Sequence, residues 1–227
     1  MKWHFEDFIY GSIDGAVTTF AVVAGVVGAS LETSIILILG FANLFADGFS
    51  MAVGNFQAAK ARKEFIDKER KKEEWEIDHM ADEERQEIRD IYAEKGFKDK
   101  LLEDIVQVIT QRRKIWVDTM MKEELGLIED GKKPVDTAVS TFVGFNVIGL
   151  IPLIPFIFLH ISGIGLSVST TFVLSVISTG CAFFIIGLIK GKIVKKSLWW
   201  SGASTLFAGG IAATVAYVVG FWLSTLI

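Results

Sequence analysis

The stretch GFANLFADGFSMAVGNFQAAKARKEFIDKERKKEEWEI (residues 40–77) changes character once and is never broken. Up to Ala59 it is built from Phe, Leu, Ala and Val, interrupted by Asn43, Asp47 and Asn55. From Lys60 onward it is mostly charge. It holds no Pro, and no Gly after Gly54, so a single helix is expected to carry the chain from an apolar region into a polar one. The same segregation governs all 227 residues. The chain is 51% hydrophobic, with a mean hydropathy of +0.45. Of its 50 charged residues, 39 lie in residues 60–133 and only 11 in the other 153 positions. That pattern excludes a simple globular enzyme, a disordered chain, and a coiled coil as the whole molecule.

Five segments are long and apolar enough to cross a bilayer: residues 13–31, 34–59, 135–160, 163–189 and 198–227. The last opens on Trp199 and Trp200 and carries Trp222 near its end, where interfacial anchors belong. The chain is therefore expected to be an all-α polytopic membrane protein with a cytosolic helical insert between spans 2 and 3. The divisions are 1–59, 60–133 and 134–227. Lys and Arg set the orientation. They fall in the tail (Lys2), in the block 60–133, and between spans 4 and 5 (Lys190, Lys192, Lys195 and Lys196). All 23 therefore lie on one side of a five-span layout, which the positive-inside rule makes cytosolic, with the C-terminus outside. Val27-Gly28-Ala29 imitates a signal-peptidase site, but the tail before it carries Glu6, Asp7 and Asp14 where a signal needs basic residues. A Lys-rich chain without a targeting extension is expected in a prokaryotic cell membrane.

The usual soluble chemistries find no footing. Cys181 stands alone, so the chain forms no internal disulfide framework, and a net charge of −4 argues against nucleic acid as a partner. No Walker loop, GxSxG, HExxH or CxxC is present, and no enzyme and no prosthetic group are expected.

Within the block, four helices are expected: the continuation of span 2 from Ala58 to about Ile77, one from an Asp82 N-cap to Gly96, one over 99–110, and one over 114–125. Their sparse apolar residues suffice for a small bundle. Glu73 and Glu76 share a helix face at i, i+3, and Glu84 and Glu87 repeat the spacing. Glu124 follows Met120 and Met121 by four and three. Facing carboxylates repel unless a cation neutralises them, and oxygen ligands with thioethers nearby suit Fe²⁺, Mn²⁺ or Zn²⁺. Spacing alone does not choose these acids over Glu69, Glu74, Glu83 or Glu123, and a solvated acidic face accounts for all of them equally. His79 reads as polar surface.

Inside the spans, polarity is costly. Asp14 opens span 1, and Asp47 sits about mid-way in span 2, on a stripe of Asn43, Asp47, Met51 and Asn55 that recurs every four residues. Thr18 lies one turn beyond Asp14, Thr141 and Asn146 add polarity to span 3, and Pro152 and Pro155 loosen its outer end. These groups read as a cation route rather than as hydrogen-bonded glue. Gly11 and Gly15 form a GxxxG at which two copies of span 1 could approach.

Four segments together resemble the vacuolar iron transporter family: DGAVTTFAVVAGVVGA (14–29), GFANLFADGFSMAVGNF (40–56), WVDTMMKEELGL (116–127) and GLIPLIP (149–155). The resemblance implies a homodimer that exports Fe²⁺, and often Mn²⁺, from the cytosol in exchange for protons, along a route between the first and second helices of the protomers. It implies Asp14 and Met51 as pathway ligands. It also singles out Glu73, Glu76, Glu84, Glu87, Met120, Met121 and Glu124 as metal ligands of the insert. Asn43 and Asp47 join the pathway only through the helical stripe. No ferritin-like segment precedes the spans, so the oxidase-fused branch is not expected. A membrane-anchored metal sensor, and the same transporter carrying Mn²⁺ or Zn²⁺, are the competing readings.

Overall fold

The computed structural model describes residues 5–129, 131–163 and 167–226. Lys2, residues 164–166 of the expected fourth span, and Ile227 lie outside them. The described residues form helices and no strand: α1 (Phe5–Gly28), α2 (Thr33–His79), α3 (Ala81–Glu94), α4 (Asp99–Thr110), α5 (Arg113–Glu123), α6 (Pro134–Gly149), α7 (Ile154–Ser162), α8 (Val168–Ile193) and α9 (Leu198–Leu226), with a 3₁₀ turn at Ile151–Leu153. Five spans are long and apolar enough to cross a membrane, with α6, the 3₁₀ turn and α7 forming the third. The chain is an integral membrane protein of the all-α class. It divides into two compact units, residues 1–57 with 133–227, and residues 58–132.

In the membrane unit α1 packs against α6, α8 and α9, and α8 packs against α9. Phe20, Val23, Leu44, Phe145, Leu153 and Phe156 fill the centre. Large apolar side chains such as Phe41, Phe45, Phe49, Trp199, Trp200 and Phe207 face outward, as a surface bathed in lipid requires. The α1–α6 seam explains the glycines. A Cβ on Gly11 would lie 2.2 Å from the Thr141 carbonyl oxygen, one on Gly15 2.3 Å from that of Phe145, and one on Gly144 2.3 Å from that of Phe8. The GxxxG expected to bring two copies of span 1 together is thus spent within the chain. Backbones this close need small residues on both helices, and α6 supplies the complementary face.

Span 1 begins earlier than residue 13. Phe5 already starts the helix, with Glu6 and Asp7 in a first turn where acids complement the macrodipole. Asp14 consequently sits in the middle of α1 rather than at its start. Span 3 breaks at Pro152, as its prolines require, and the Pro152 carbonyl accepts a hydrogen bond from Ser175 Oγ on α8 at 2.7 Å. A neighbouring helix thereby satisfies a carbonyl freed by the break.

The second unit closes around Ile66, Ile77, Ile88, Val106, Ile109, Trp116, Val117, Met120 and Met121. Asp82 is not the N-cap of α3. Met80 holds that position, and its carbonyl accepts from the amides of Glu83 and Glu84. One residue separates α2 from α3, so Asp82 falls inside the first turn, where its charge faces the dipole instead of capping it.

Candidate functional site

In the second unit the carboxylates sort by environment. Glu69 pairs with Lys68 at 3.0 Å and Glu74 with Arg113 at 3.7 Å, while Glu123 is bonded by both Lys95 and Lys122, which hold its carboxyl down at about 2. Glu73 and Glu84 are different. They are 1% and 5% exposed, and each keeps a carboxylate oxygen without a hydrogen-bond partner. Burial pushes each of them up to about 7, aided by Glu124, Glu76 and Glu87 around Glu73, and by Glu87, Glu73, Glu76 and Glu124 around Glu84. Burial, then Glu87 and Glu76, also raises Glu124, against the pull of Lys72. Helices α2, α3 and α5 therefore turn Glu73, Glu76, Glu84, Glu87 and Glu124 toward one another. Of these five, among the described residues, only Glu76 has an ion-pair partner, Lys72 at 3.1 Å.

This is the distinction that spacing could not make. The side chains are not drawn tightly together: among the described residues no three of His, Cys, Asp and Glu converge closely enough to hold an ion. Met120 and Met121, 0% and 2% exposed, are packed into the apolar core beneath the acids. His79 stacks on Trp75 with centroids 4.5 Å apart, and its Nδ1 lies 2.8 Å from the Trp75 carbonyl oxygen, which gives it a structural partner on the surface.

In the membrane unit two polar stripes run antiparallel and meet rung by rung. Asn43 Nδ2 donates to Thr18 Oγ1 and Thr19 Oγ1, both at 3.2 Å. One turn along, Asp47 on α2 and Asp14 on α1 occupy the next positions of the two stripes, four residues from Asn43 and from Thr18. At the far rung, Asn55 Nδ2 donates to Asp7 Oδ1 at 2.9 Å and to Thr141 Oγ1 at 2.7 Å. Met51 lies between these rungs in sequence, partly buried against the apolar core. Asp14 is half-buried and Asp47 exposed on the surface of the chain. Asp7 is the residue that sequence reasoning passed over as part of a polar tail. Its signal was available, since it precedes Asp14 by seven residues and so shares a helix face with it two turns away.

Fold and geometry define a five-span helical membrane protein with acids on the joined polar stripes of its first two spans, and a carboxylate cluster in its second helical unit. The chain belongs to the VIT family, whose model matches residues 5–221. It is 37% identical over 223 residues to the vacuolar iron transporter of Toxoplasma gondii, covering 96% of this chain and 74% of that protein. It is 33% identical to the vacuolar iron transporter of Plasmodium falciparum, over 96% of this chain and 82% of that one. It is 32% identical to vacuolar iron transporter 1 of Arabidopsis thaliana, over 93% of this chain and 83% of that one. The family resemblance carried by residues 14–29, 40–56, 116–127 and 149–155 is therefore real. These relatives are eukaryotic and named for the vacuole, so they lend no support to a prokaryotic cell membrane.

Proposed function

We propose that this protein carries Fe²⁺, and Mn²⁺ as a second cargo, out of the cytosol in exchange for protons, working as a homodimer. Relatives named as iron transporters support the cargo. The observation that carries the route is the pair of polar stripes on the first two spans, joined by Asn43 to Thr18 and Thr19 and by Asn55 to Asp7, with Asp14 and Asp47 between these rungs. Carboxylates in a hydrocarbon setting are expensive to hold, and a divalent cation relieves that cost. The basic residues gathered on one side of the five-span layout support a cytosolic position for residues 60–133.

The glutamates of the insert gather the ion where it is scarce. Glu73, Glu76, Glu84, Glu87 and Glu124 supply oxygen, and Met120 and Met121 offer thioethers once the helices adjust. The ion then passes along the stripe of α2, meeting Met51, Asp47 and Asn43 with Asp14 opposite, where carboxylate and thioether replace water of hydration. Protons arriving from the far side neutralise Asp14 and Asp47 and release the ion, which ties the two fluxes together. The test is Fe²⁺ flux into sealed proteoliposomes driven by a pH gradient, with Mn²⁺ and Zn²⁺ in parallel. Gradient-driven Fe²⁺ flux is expected, and a protein that binds metal but moves none would be an anchored sensor instead.

A further inference from the structure

The rung formed by Asn55 has a chemical direction. Thr141 Oγ1 gives its own proton to the Thr137 carbonyl at 3.0 Å, so toward Asn55 it can only accept. The Asp7 carboxylate also accepts. Facing two acceptors, the Asn55 amide must turn its NH₂ toward them, and both N–H bonds are consumed, at 2.9 and 2.7 Å. The side-chain carbonyl Oδ1 is thereby turned the other way, and among the described residues it accepts no hydrogen bond. The same logic operates at the opposite end of the stripe. Thr18 Oγ1 gives its proton to the Asp14 carbonyl at 2.9 Å and, with Thr19 Oγ1, accepts from the Asn43 amide, whose Oδ1 accepts no hydrogen bond among the described residues. Two asparagines on one helix face, three turns apart, are held in the same sense by different partners. Helix–helix glue needs only that the amides bond across the seam. It does not need both carbonyls left over.

We infer that Asn55 is a cation ligand of the pathway through Oδ1, and that Asp7 and Thr141 are positioning residues that hold its amide the right way round. This rests on the transport reading above. Asn55 is the rung nearest along α2 to the charged half of the helix, five residues before Lys60. An ion entering from that end meets the hard Asn55 Oδ1, on the rung that Asp7 also occupies, before it reaches the thioether of Met51, Asp47 and Asp14. An amide oxygen suits an entry station, because an ion must bind there well enough to shed water and weakly enough to move on.

The measurement is the initial rate of Fe²⁺ flux in proteoliposomes as a function of Fe²⁺ concentration. Asn55→Leu removes the carbonyl and is expected to raise KM by about 10–100-fold, with Vmax held within about twofold. Asp7→Leu should raise KM in the same way, whereas Asp7→Asn still presents an oxygen acceptor and should restore near-native KM. In the Asn55→Leu background, Asp7→Leu should add nothing, since a positioning residue has no effect once the group it positions is gone. Asn55→Ser tests the same atom if the leucine variant fails to assemble. An unchanged KM in either Asn55 variant overturns the assignment of the ligand. Additive effects of Asp7→Leu and Asn55→Leu, or loss of flux in Asp7→Asn, overturn the positioning role and make Asp7 a ligand in its own right. Absence of Fe²⁺ flux in the unmodified protein would strike the transport reading instead, so the two failures are told apart.

Discussion

The two units of this protein keep acids in opposite ways. In the membrane unit the polar stripe is organised by hydrogen bonds: Thr18 and Thr19 fix Asn43, and Asp7 and Thr141 fix Asn55. In the second unit Glu73 and Glu84 lack such support. Glu73 and Glu84 are buried, each with an oxygen left unpaired, among glutamates that repel them. The difference follows from what surrounds each set. A bilayer offers no water to an unpaired group, so a route through it must be organised in advance. A unit whose surface is mostly charged can keep such a cluster by holding protons on it, and under the proposed function a cation replaces those protons.

The most drastic way to break the comparison is to wreck one unit. Gly15→Leu places side-chain atoms where a Cβ alone would lie 2.3 Å from the Phe145 carbonyl oxygen. Backbone cannot move aside as a rotamer can, so the cost exceeds the about 1–3 kcal/mol of ordinary overpacking. Loss of monodisperse protein in detergent is expected. Asp14→Ala comes next: the fold should survive, and metal binding by the insert with it, while proton-coupled Fe²⁺ flux disappears. Undiminished flux in that variant would move the route elsewhere.

The frustrated cluster should show itself in pH. In the folded chain Glu73 and Glu84 hold their protons up to about 7, against an ordinary value of 4.5. Metal must displace those protons, so affinity should fall as pH drops through 7, by up to about tenfold per pH unit for each proton displaced. Titration calorimetry with Mn²⁺ at pH 6 and 8 reads this directly. Between 4.5 and about 7 the folded state also binds more protons than the unfolded one, so stability of the metal-free protein should decline as pH rises across that window. Added Mn²⁺ should reverse the decline in a thermal melt, and a metal-free protein that gains stability toward pH 7 would contradict the clustering. A gentler change is Glu76→Ala, which should slow flux severalfold at low Fe²⁺ while leaving the fold intact. Smallest of all is Glu123→Ala. Its carboxylate is already bonded to Lys95 and Lys122, so metal binding should not change, whereas its neighbour Glu124→Ala should weaken it.

Much of the architecture was legible in residues 40–77 alone, because charge cannot be scattered through a membrane span and apolar runs of that length have no other use. The third span's break was legible in Pro152 and Pro155 for the same local reason. Three things were not. The partner of Gly11 and Gly15 is α6 of the same chain, since a small-residue face states that something comes close but not what. The start of α3 at Met80 was hidden by a linker of one residue. Asp7 looked like a tail because its importance lies 48 residues away, in Asn55.

The amino-acid order by itself determined that this chain crosses a membrane five times, with its charge gathered in one helical block, because burial of charge in lipid is a cost that depends on composition alone. Only the tertiary structure decided which acids stand apart from the crowd. Glu123 and Glu124 are adjacent in sequence, yet one is bonded to two lysines and the other joins a cluster of glutamates. A carboxylate's chemistry is set by whatever charge the fold brings within a few ångströms, and that distance is not written in the spacing of residues along one helix.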